Sequence, residues 1–417
     1  MTRQLMAGLG LLASGAQLMS LSSYAMASEP NAAYTLNTVI DLALERNPIM
    51  AGAQGYIRQS RGQQVAAGAY LNPSISGAAG RGSIRDPSTG VKVTERTVTV
   101  EQPLEWQGKR RARQQAADAG AAGATAAMQE TRLNIIAEAK VAFYHVLFAH
   151  QDAELAGQNL TMVEEVLRTV KARVAAGDAT GFETMKATVE VQKATKEVAR
   201  AQSALIVMRA RLDMVTAGTL GRQFSIQGDF EPLQYGLDAE QLAARAMEQH
   251  PTLRRLTNLV EQAQFSATLE RESRIPNVTV QGTYHREAGD EAITAGLSVP
   301  LPLWYQRQGE IETALGARHR AEADRLRAQN EISQAITQHV QDVRTANGQL
   351  QVFETGLLKQ AEQTLRIARV SFQQGAASLL DLLDSQRVYR QTLLEYVQTR
   401  ADLSIALARL ERAVGGI

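Results

Sequence analysis

Apolar residues recur every seven positions over the last part of the chain, which is the spacing of helices that pack lengthwise as a coiled coil. One series is Leu382, Tyr389, Tyr396, Leu403 and Leu410, and a parallel series is Leu379, Leu393, Leu407 and Val414. The same spacing occurs upstream at Val191, Val198, Leu205 and Leu212. The pattern predicts two long helices, each with one apolar face.

Each heptad segment follows a turn that carries helix-capping residues. Gly375 is expected to end one helix in the left-handed conformation, and Ser378 with Asp381 has the spacing of a capping box. The same residue types recur upstream at Gly177, Thr180 and Glu183. We therefore expect two helical hairpins with tips at about 177–180 and 375–378.

Prolines indicate that the chain is an internal duplication. The first half has Pro30, Pro48, Pro73 and Pro103, and the second has Pro232, Pro251, Pro276 and Pro302 at nearly constant separation. In both halves an amphipathic helical pattern stops close to the second of these prolines. The sequence predicts two tandem structural repeats, at 28–230 and 231–417.

Each repeat also contains a pair of segments with period-two alternation, which predicts a β-hairpin. The predicted strands lie at about 74–85, 91–102, 277–286 and 291–301. Their turns are expected around Asp86–Gly90 and Gly289–Asp290, and Pro103 and Pro302 are expected to end the outgoing strands. These strands have about the length that crosses a bilayer when tilted. Since a transmembrane barrel needs about eight strands, several chains would have to combine theirs.

The segments that follow the hairpins lack proline, which allows very long helices. One helix from Gln107 to Ala175 would extend about 100 Å. Trp106 and Trp304 occupy equivalent places where strand gives way to helix. Tryptophan at that level is typical of the aromatic girdle at a membrane interface, although two ordinary packing residues are the alternative.

The N-terminal residues have the features of a secretory signal peptide. Arg3 precedes an apolar segment, and Ala25-Met26-Ala27 forms a cleavage site, so we expect residues 1–27 to be removed after Ala27. Beyond it no apolar run reaches the length of a membrane-spanning helix. Cysteine is absent, which excludes disulfides, thiolate metal sites and an N-terminal lipid attached through cysteine.

Signals for enzymatic chemistry are missing from the sequence. There is no G-x-S-x-G, Walker A or H-E-x-x-H motif, and the glycine-rich Gly77–Gly82 lies in a predicted strand. His145 and His150 are five residues apart, which does not place them on one helix face. A net charge of +1 gives no support to nucleic-acid binding. We expect no enzyme, no cofactor and no dedicated metal site.

Both repeats, both β-hairpins and both helical tips resemble the TolC family of trimeric outer-membrane efflux channels. Within that family, "QPLEWQGKRRAR" after the second strand and "VPLPLWYQRQGEIETA" after the fourth resemble the CzcC-type branch, which exports heavy-metal cations. The chain departs from that branch at Trp106-Gln107-Gly108, where members often carry Leu-Gly-Gly. It departs again at Trp304–Arg307, where they often carry Phe-Asn-Arg-Asn.

The resemblance implies a mainly α fold with a small membrane β part. Three chains would form a 12-stranded β-barrel in the outer membrane of a Gram-negative bacterium, continued by a periplasmic α-helical barrel. It also implies a periplasmic adaptor (membrane fusion) protein on the tips and an inner-membrane RND pump. The cargo would be divalent cations such as Co, Zn, Cd, Ni or Cu. Alternatives are an outlet for organic drugs or type I protein secretion, and a periplasmic coiled-coil adaptor without a pore.

The second tip carries residues that the resemblance places at the periplasmic gate. Asp381 and Asp384 would line the constriction as rings of carboxylates, and Phe372 is a further candidate for the same constriction. A ring of acids in a narrow pore favours cations. The alternative for Asp381 is a helix cap, and for both acids a solvated surface. The first tip carries Glu183 and Lys186 instead, so the double acid belongs to the second repeat alone.

Overall fold

The structure is a computed structural model that describes residues 33–85, 92–233, 236–287 and 290–416. Three predictions lie wholly or partly outside these ranges: the signal peptide with its cleavage site, the first hairpin turn and Gly289 of the second turn.

Within the described ranges the same order of elements occurs twice. The first repeat has helices α1 (Leu36–Arg46), α2 (Pro48–Gly68), α3 (Gln107–Ala176) and α4 (Gly181–Val215). The second has α5 (Ala239–Gln249), α6 (Pro251–Glu272), α7 (Gln308–Val352), α8 (Leu358–Gln373) and α9 (Leu379–Val414). A π-helical turn at Phe353–Leu357 joins α7 to α8. The 70-residue α3 confirms the predicted long helix, whereas its counterpart is interrupted by the π-turn.

Matching X-Pro pairs begin the second helix of each repeat. Asn47 accepts a 2.9 Å hydrogen bond from the N–H of Ile49, and His250 accepts one of 3.2 Å from the N–H of Thr252. Proline at the first helical position lacks the N–H that would have no helical partner there. Asn-Pro and His-Pro therefore give the same local start with different side chains.

The four predicted strands form one antiparallel sheet. In order across the sheet they are β2 (Ser74–Arg85), β3 (Lys92–Leu104), β5 (Val278–Glu287) and β6 (Asp290–Ser298). A separate short parallel pair joins β1 (Ala33–Tyr34) to β4 (Ser225–Ile226). The outer strands of the larger sheet are β2 and β6, and neither edge has a neighbouring strand among the described residues.

The predicted ends of two strands, β3 and β6, were wrong, and both lie at prolines. Pro103 lies inside β3, opposite Thr279 of β5. The pairing of β3 with β2 already stops at Glu101, so Pro103 sits at a local edge where no ladder donor is lost. In contrast, β6 ends at Ser298, three residues before the prediction. Pro300 and Pro302 remove two N–H donors just beyond that point.

Buried residues form three clusters along the helices. The largest joins α1, α3, α4 and α9 around Phe143, Tyr144 and Leu212, and the second joins α5, α6, α7 and α9. The third lies near the tips of the hairpins. Six residues of the two α9 series are buried, which confirms that helix's apolar face: Leu379, Leu382, Leu403, Leu407, Leu410 and Val414.

The closest-packed face of α4 consists of alanines. Ala187, Ala194 and Ala201 are buried at heptad spacing, each four residues before a member of the predicted series. Of that series only Leu212 is fully buried. Small side chains let two helix backbones approach closely. The packed face of α4 therefore exists as predicted, but most of its buried residues are smaller than the predicted ones.

Candidate functional site

The tip between α8 and α9 is a tight turn built around Gly375. This glycine has φ 76°, and the N–H of Ala376 donates to the carbonyl of Ser371 at 2.8 Å. Ser378 caps α9: its Oγ accepts from the N–H of Asp381 at 3.2 Å, while Asp381 Oδ2 accepts from the N–H of Ser378 at 3.0 Å. The predicted glycine turn and capping box are confirmed here.

The tip between α3 and α4 has the same glycine turn but a different cap. Gly177 has φ 84°, and Thr180 occupies the N-cap position. The predicted capping box with Glu183 is wrong, because Thr180 makes no side-chain cap hydrogen bond. A backbone bond of 3.1 Å joins the N–H of Glu183 to the carbonyl of Thr180. Thr180 is exposed, so water can serve the first-turn N–H groups without a side-chain cap.

Asp381 and Asp384 both lie exposed on the outside of the second tip. Hydrogen bonds from Ser378 lower the pKa of Asp381, which keeps that carboxyl ionised. Asp384 forms an ion pair of 2.5 Å with Arg387, one turn later on the same helix. The two acids therefore differ: one is held by the helix cap, and the other is partly balanced by a neighbouring cation.

Phe372 is buried inside the second hairpin. Its side chain is 2% exposed and packs among the apolar residues of the tip cluster. The Arg173 guanidinium lies 5.1 Å from the centre of its ring. Within one chain Phe372 therefore packs the hairpin, and its contribution to a constriction stays a prediction.

A network of ion pairs links the two helical hairpins above the tips. The sequence did not predict it. Arg390 of α9 donates to Glu197 of α4 at 2.9 Å, and Arg200 donates to Asp152 of α3 at 2.8 Å. Glu197 also accepts from Arg200 at 3.0 Å. Only the Glu197–Arg200 spacing of three residues was visible in the sequence. The other partners are brought together by the packing of α3, α4 and α9.

Both tryptophans lie at the ends of the sheet, immediately before long helices. Trp106 is 49% exposed, and its Nε1 donates to Glu272 Oε2 at 2.9 Å. Trp304 is 90% exposed. Arg307, with φ 61°, donates to Glu270 at 3.0 Å. The last turn of α6 thus holds the starts of α3 and α7 through two glutamates.

The described residues contain no group of three or more His, Asp or Glu side chains placed to hold a metal ion. Burial lowers the pKa of His145 and raises that of Asp402, with the two groups interacting across α3 and α9. No helix in the described ranges combines the length and the hydropathy needed to cross a membrane.

Comparison with known proteins identifies relatives over nearly the whole chain. The family model described as "Outer membrane efflux protein" matches residues 39–218 and 242–416. The chain is 24% identical to the cobalt-zinc-cadmium resistance protein CzcC of Cupriavidus metallidurans, over 91% of this chain and 90% of CzcC. It is 26% identical to the nickel-cobalt-cadmium resistance protein NccC of Alcaligenes xylosoxydans xylosoxydans, over 77% and 73% of the two chains.

One further relative is named for a different compound, and one solved structure shows similarity of the fold alone. The pyoverdine export outer membrane protein OpmQ of Pseudomonas aeruginosa is 23% identical, over 91% of this chain and 83% of OpmQ. The solved structure of CusC matches with a TM-score of 0.78 at 15% identity, covering 92% of both chains. The fold is therefore that of CusC, and the names of the matched relatives refer to more than one kind of compound.

Proposed function

Because this chain belongs to the outer membrane efflux protein family, we propose that it is the passive, trimeric exit duct of a tripartite efflux system. The observation that carries the proposal is the four-stranded sheet with two open edges, β2 and β6. An unpaired strand edge is costly in lipid, because its N–H and C=O groups have no water to bind. Three chains that pair edge to edge would close a 12-stranded barrel in the outer membrane.

Exposed apolar side chains on the long helices support the same assembly. On α4 these include Phe182, Met185, Ile206 and Val207, and on α7 and α8 they include Leu326, Ile367 and Val370. Apolar residues at helical spacing on an outer face favour packing against another helix. We place the neighbouring chain there, so that the helices of three chains continue the barrel as a periplasmic tunnel.

For the cargo we propose divalent heavy-metal cations such as Co, Zn, Cd, Ni or Cu. The names of CzcC and NccC support this choice. The exposed carboxylates of Asp381 and Asp384 support it physically, because three copies would ring a narrow neck with negative charge. The name of OpmQ favours the second candidate, an outlet for organic compounds. Type I protein secretion and a pore-free adaptor remain alternatives, although an adaptor needs neither bilayer-length strands nor exposed tryptophans.

The two glycine turns are the proposed docking points for a periplasmic adaptor, which would connect the duct to an inner-membrane RND pump. Gly375 and Gly177 have no atom within 4 Å of an added Cβ, but their positive φ penalises any side chain. A Gly375→Trp strain should still insert trimers and should lose efflux. We further propose that cleavage after Ala27 releases a mature chain without a lipid anchor.

The cargo proposal is tested in a strain from which this gene is deleted. We expect greater sensitivity to Co, Zn or Cd, restored by the wild-type gene, and unchanged export of organic siderophores and drugs. Total cell metal, measured by mass spectrometry, should rise in the deletion strain. Unchanged metal tolerance with impaired export of an organic compound would instead support the second candidate.

A further inference from the structure

A band of charged and aromatic residues surrounds the point where the sheet meets the helices. We define this collar as residues 68–73, 105–113, 270–277 and 303–310. It holds seven Lys and Arg side chains and four Glu side chains, whereas the whole chain carries a net charge of only +1. Positive charge is therefore concentrated at this level of the molecule.

Four of the seven cations have internal partners. Lys109 donates to the side-chain oxygen of Asn277 at 2.6 Å, and Arg110 donates to the carbonyl of Gly68 at 2.7 Å. Arg113 and Arg307 pair with glutamates of the collar. The other two glutamates accept hydrogen bonds from Trp106 and Tyr305. All four carboxylates of the collar are thus engaged within the chain.

The remaining three cations point outward. Arg111, Arg271 and Arg274 are exposed. Among the residues the structure describes, the guanidinium groups of Arg111 and Arg271 have no hydrogen-bond or ion-pair partner, and that of Arg274 meets the neutral amide of Gln306 at 3.2 Å. Two of these arginines are therefore free to bind an anion, and the third is held only by a neutral amide that an anion could displace.

Large apolar and aromatic side chains of the same collar are also exposed. Tyr70 is 75% exposed, and Leu303 and Trp304 precede α7 with most of their surface in solvent. Indole and phenol rings favour the boundary between lipid tails and headgroups. Guanidinium groups favour phosphate, which they bind through two parallel N–H donors. The collar thus combines exposed apolar and aromatic side chains with phosphate-binding groups where the strands meet the helices.

We infer that the collar is a binding surface for anionic phospholipids in the periplasm-facing leaflet of the outer membrane. Arg111, Arg271 and Arg274 bind the phosphate groups, and the exposed rings lie among the first carbons of the acyl chains. A phospholipid matches the presence of both chemistries in one collar, whereas a soluble anion would not require the exposed rings. The inference rests on the proposed function, since it needs a chain that is inserted in the outer membrane.

The test is native mass spectrometry of the detergent-purified trimer with added phosphatidylglycerol or phosphatidylcholine of identical acyl chains. We expect at least threefold more phosphatidylglycerol bound at equal mole ratio. The preference should be lost in R111Q/R271Q/R274Q and retained in R58Q/R61Q. Arg58 and Arg61 are exposed arginines on α2, about 10–15 Å farther from the strands than Gly68, and serve as the matched control.

Two further measurements keep the outcome clear if the triple variant does not assemble. R111K/R271K/R274K retains the charge and should keep a reduced preference, and inorganic phosphate should not displace bound phosphatidylglycerol from the wild type. Equal binding of both lipids by a trimer that conducts ions in a bilayer would overturn this inference alone. So would equal loss of preference in R58Q/R61Q, or displacement by phosphate. A chain that neither inserts nor conducts would overturn the proposed function itself.

Discussion

Ser378 and Asp381 hold the start of α9 reciprocally, each accepting a hydrogen bond from the backbone N–H of the other. Ser378 Oγ also donates to Asp381 Oδ2 at 2.7 Å. The equivalent pair at the first tip, Thr180 and Glu183, lacks the side-chain bonds. One acid of the proposed gate is therefore part of the helix start in the second repeat only. Any change at Asp381 alters local structure as well as charge.

The difference between the two tips can be measured directly. Ser378→Ala should destabilise the first turn of α9 by about 1 kcal/mol, since it removes an N-cap acceptor. Thr180→Ala should have a much smaller effect on α4, because no cap bond is lost. Hydrogen exchange of the first-turn amides in the two variants compares them in one experiment. Equal effects at both tips would show that the cap geometry differs from that described.

Acid should weaken the start of α6 through His250. Burial lowers the pKa of His250 from its ordinary value of 6.5, and this outweighs the raising effects of a hydrogen bond to the backbone of Arg412 and of the Glu130 charge; the charge of Arg412 adds to the lowering. The neutral ring is needed because its Nδ1 accepts from Thr252. A folded pKa below the unfolded one means that the contribution is complete above about pH 6.5 and is lost as the pH falls through the folded pKa.

His250→Asn provides the matched control, since Asn47 performs the same capping role in the first repeat without titrating. Thermal unfolding of the wild type should shift to lower temperature between about pH 6.5 and 5, relative to the variant. Parallel curves for the two proteins would exclude His250 as the source of the pH dependence.

A side chain at Gly108 should displace its neighbours, because the side chains of Glu272 and Trp106 fill the space. An added Cβ would overlap the Glu272 carboxylate and lie 2.7 Å from Trp106 Nε1. We expect Gly108→Ala to break the hydrogen bond between Trp106 and Glu272, at a cost of about 1 kcal/mol or more. In a Trp304→Phe background, the fluorescence emission of Trp106 reports the change.

Gly316→Ala is the control for that experiment. Gly316 lies in α7 with nothing within 4 Å of an added Cβ. Alanine there should stabilise the helix by up to about 1 kcal/mol and leave the emission of Trp106 unchanged. An unaltered Trp106 spectrum in Gly108→Ala would mean that Trp106 and Glu272 pack less tightly against Gly108 than the structure indicates.

Local sequence signals predicted the long helices, the hairpin strands and the tip at Gly375, because caps and periodicity act between neighbouring residues. Contacts between distant residues were not predictable. Trp106 and Glu272 are 166 positions apart, and nothing in either segment marks the other as a partner. The burial of Phe372 was not predictable for a related reason. The sequence of the tip could not show which neighbours in α3 and α9 would enclose its ring.

The gate proposal predicts a specific electrical change. If three copies of Asp381 and Asp384 approach the axis, their charges should attract cations and bind multivalent ones. Asp381→Asn/Asp384→Asn keeps the size and removes the charge, so cation selectivity and block by trivalent cations should both fall. Asp178→Asn at the other tip is the control, and it should leave both properties intact. Unchanged selectivity in the double variant would place the constriction elsewhere.

The central claim is that three copies of this chain form one passive duct through the outer membrane. The most direct measurement combines native mass spectrometry with planar-bilayer recording of the same detergent-purified protein. We expect a mass three times that of the mature chain and a stable ion conductance that needs no nucleotide and no proton gradient. A folded, membrane-inserted monomer, or a trimer that never conducts, would contradict it.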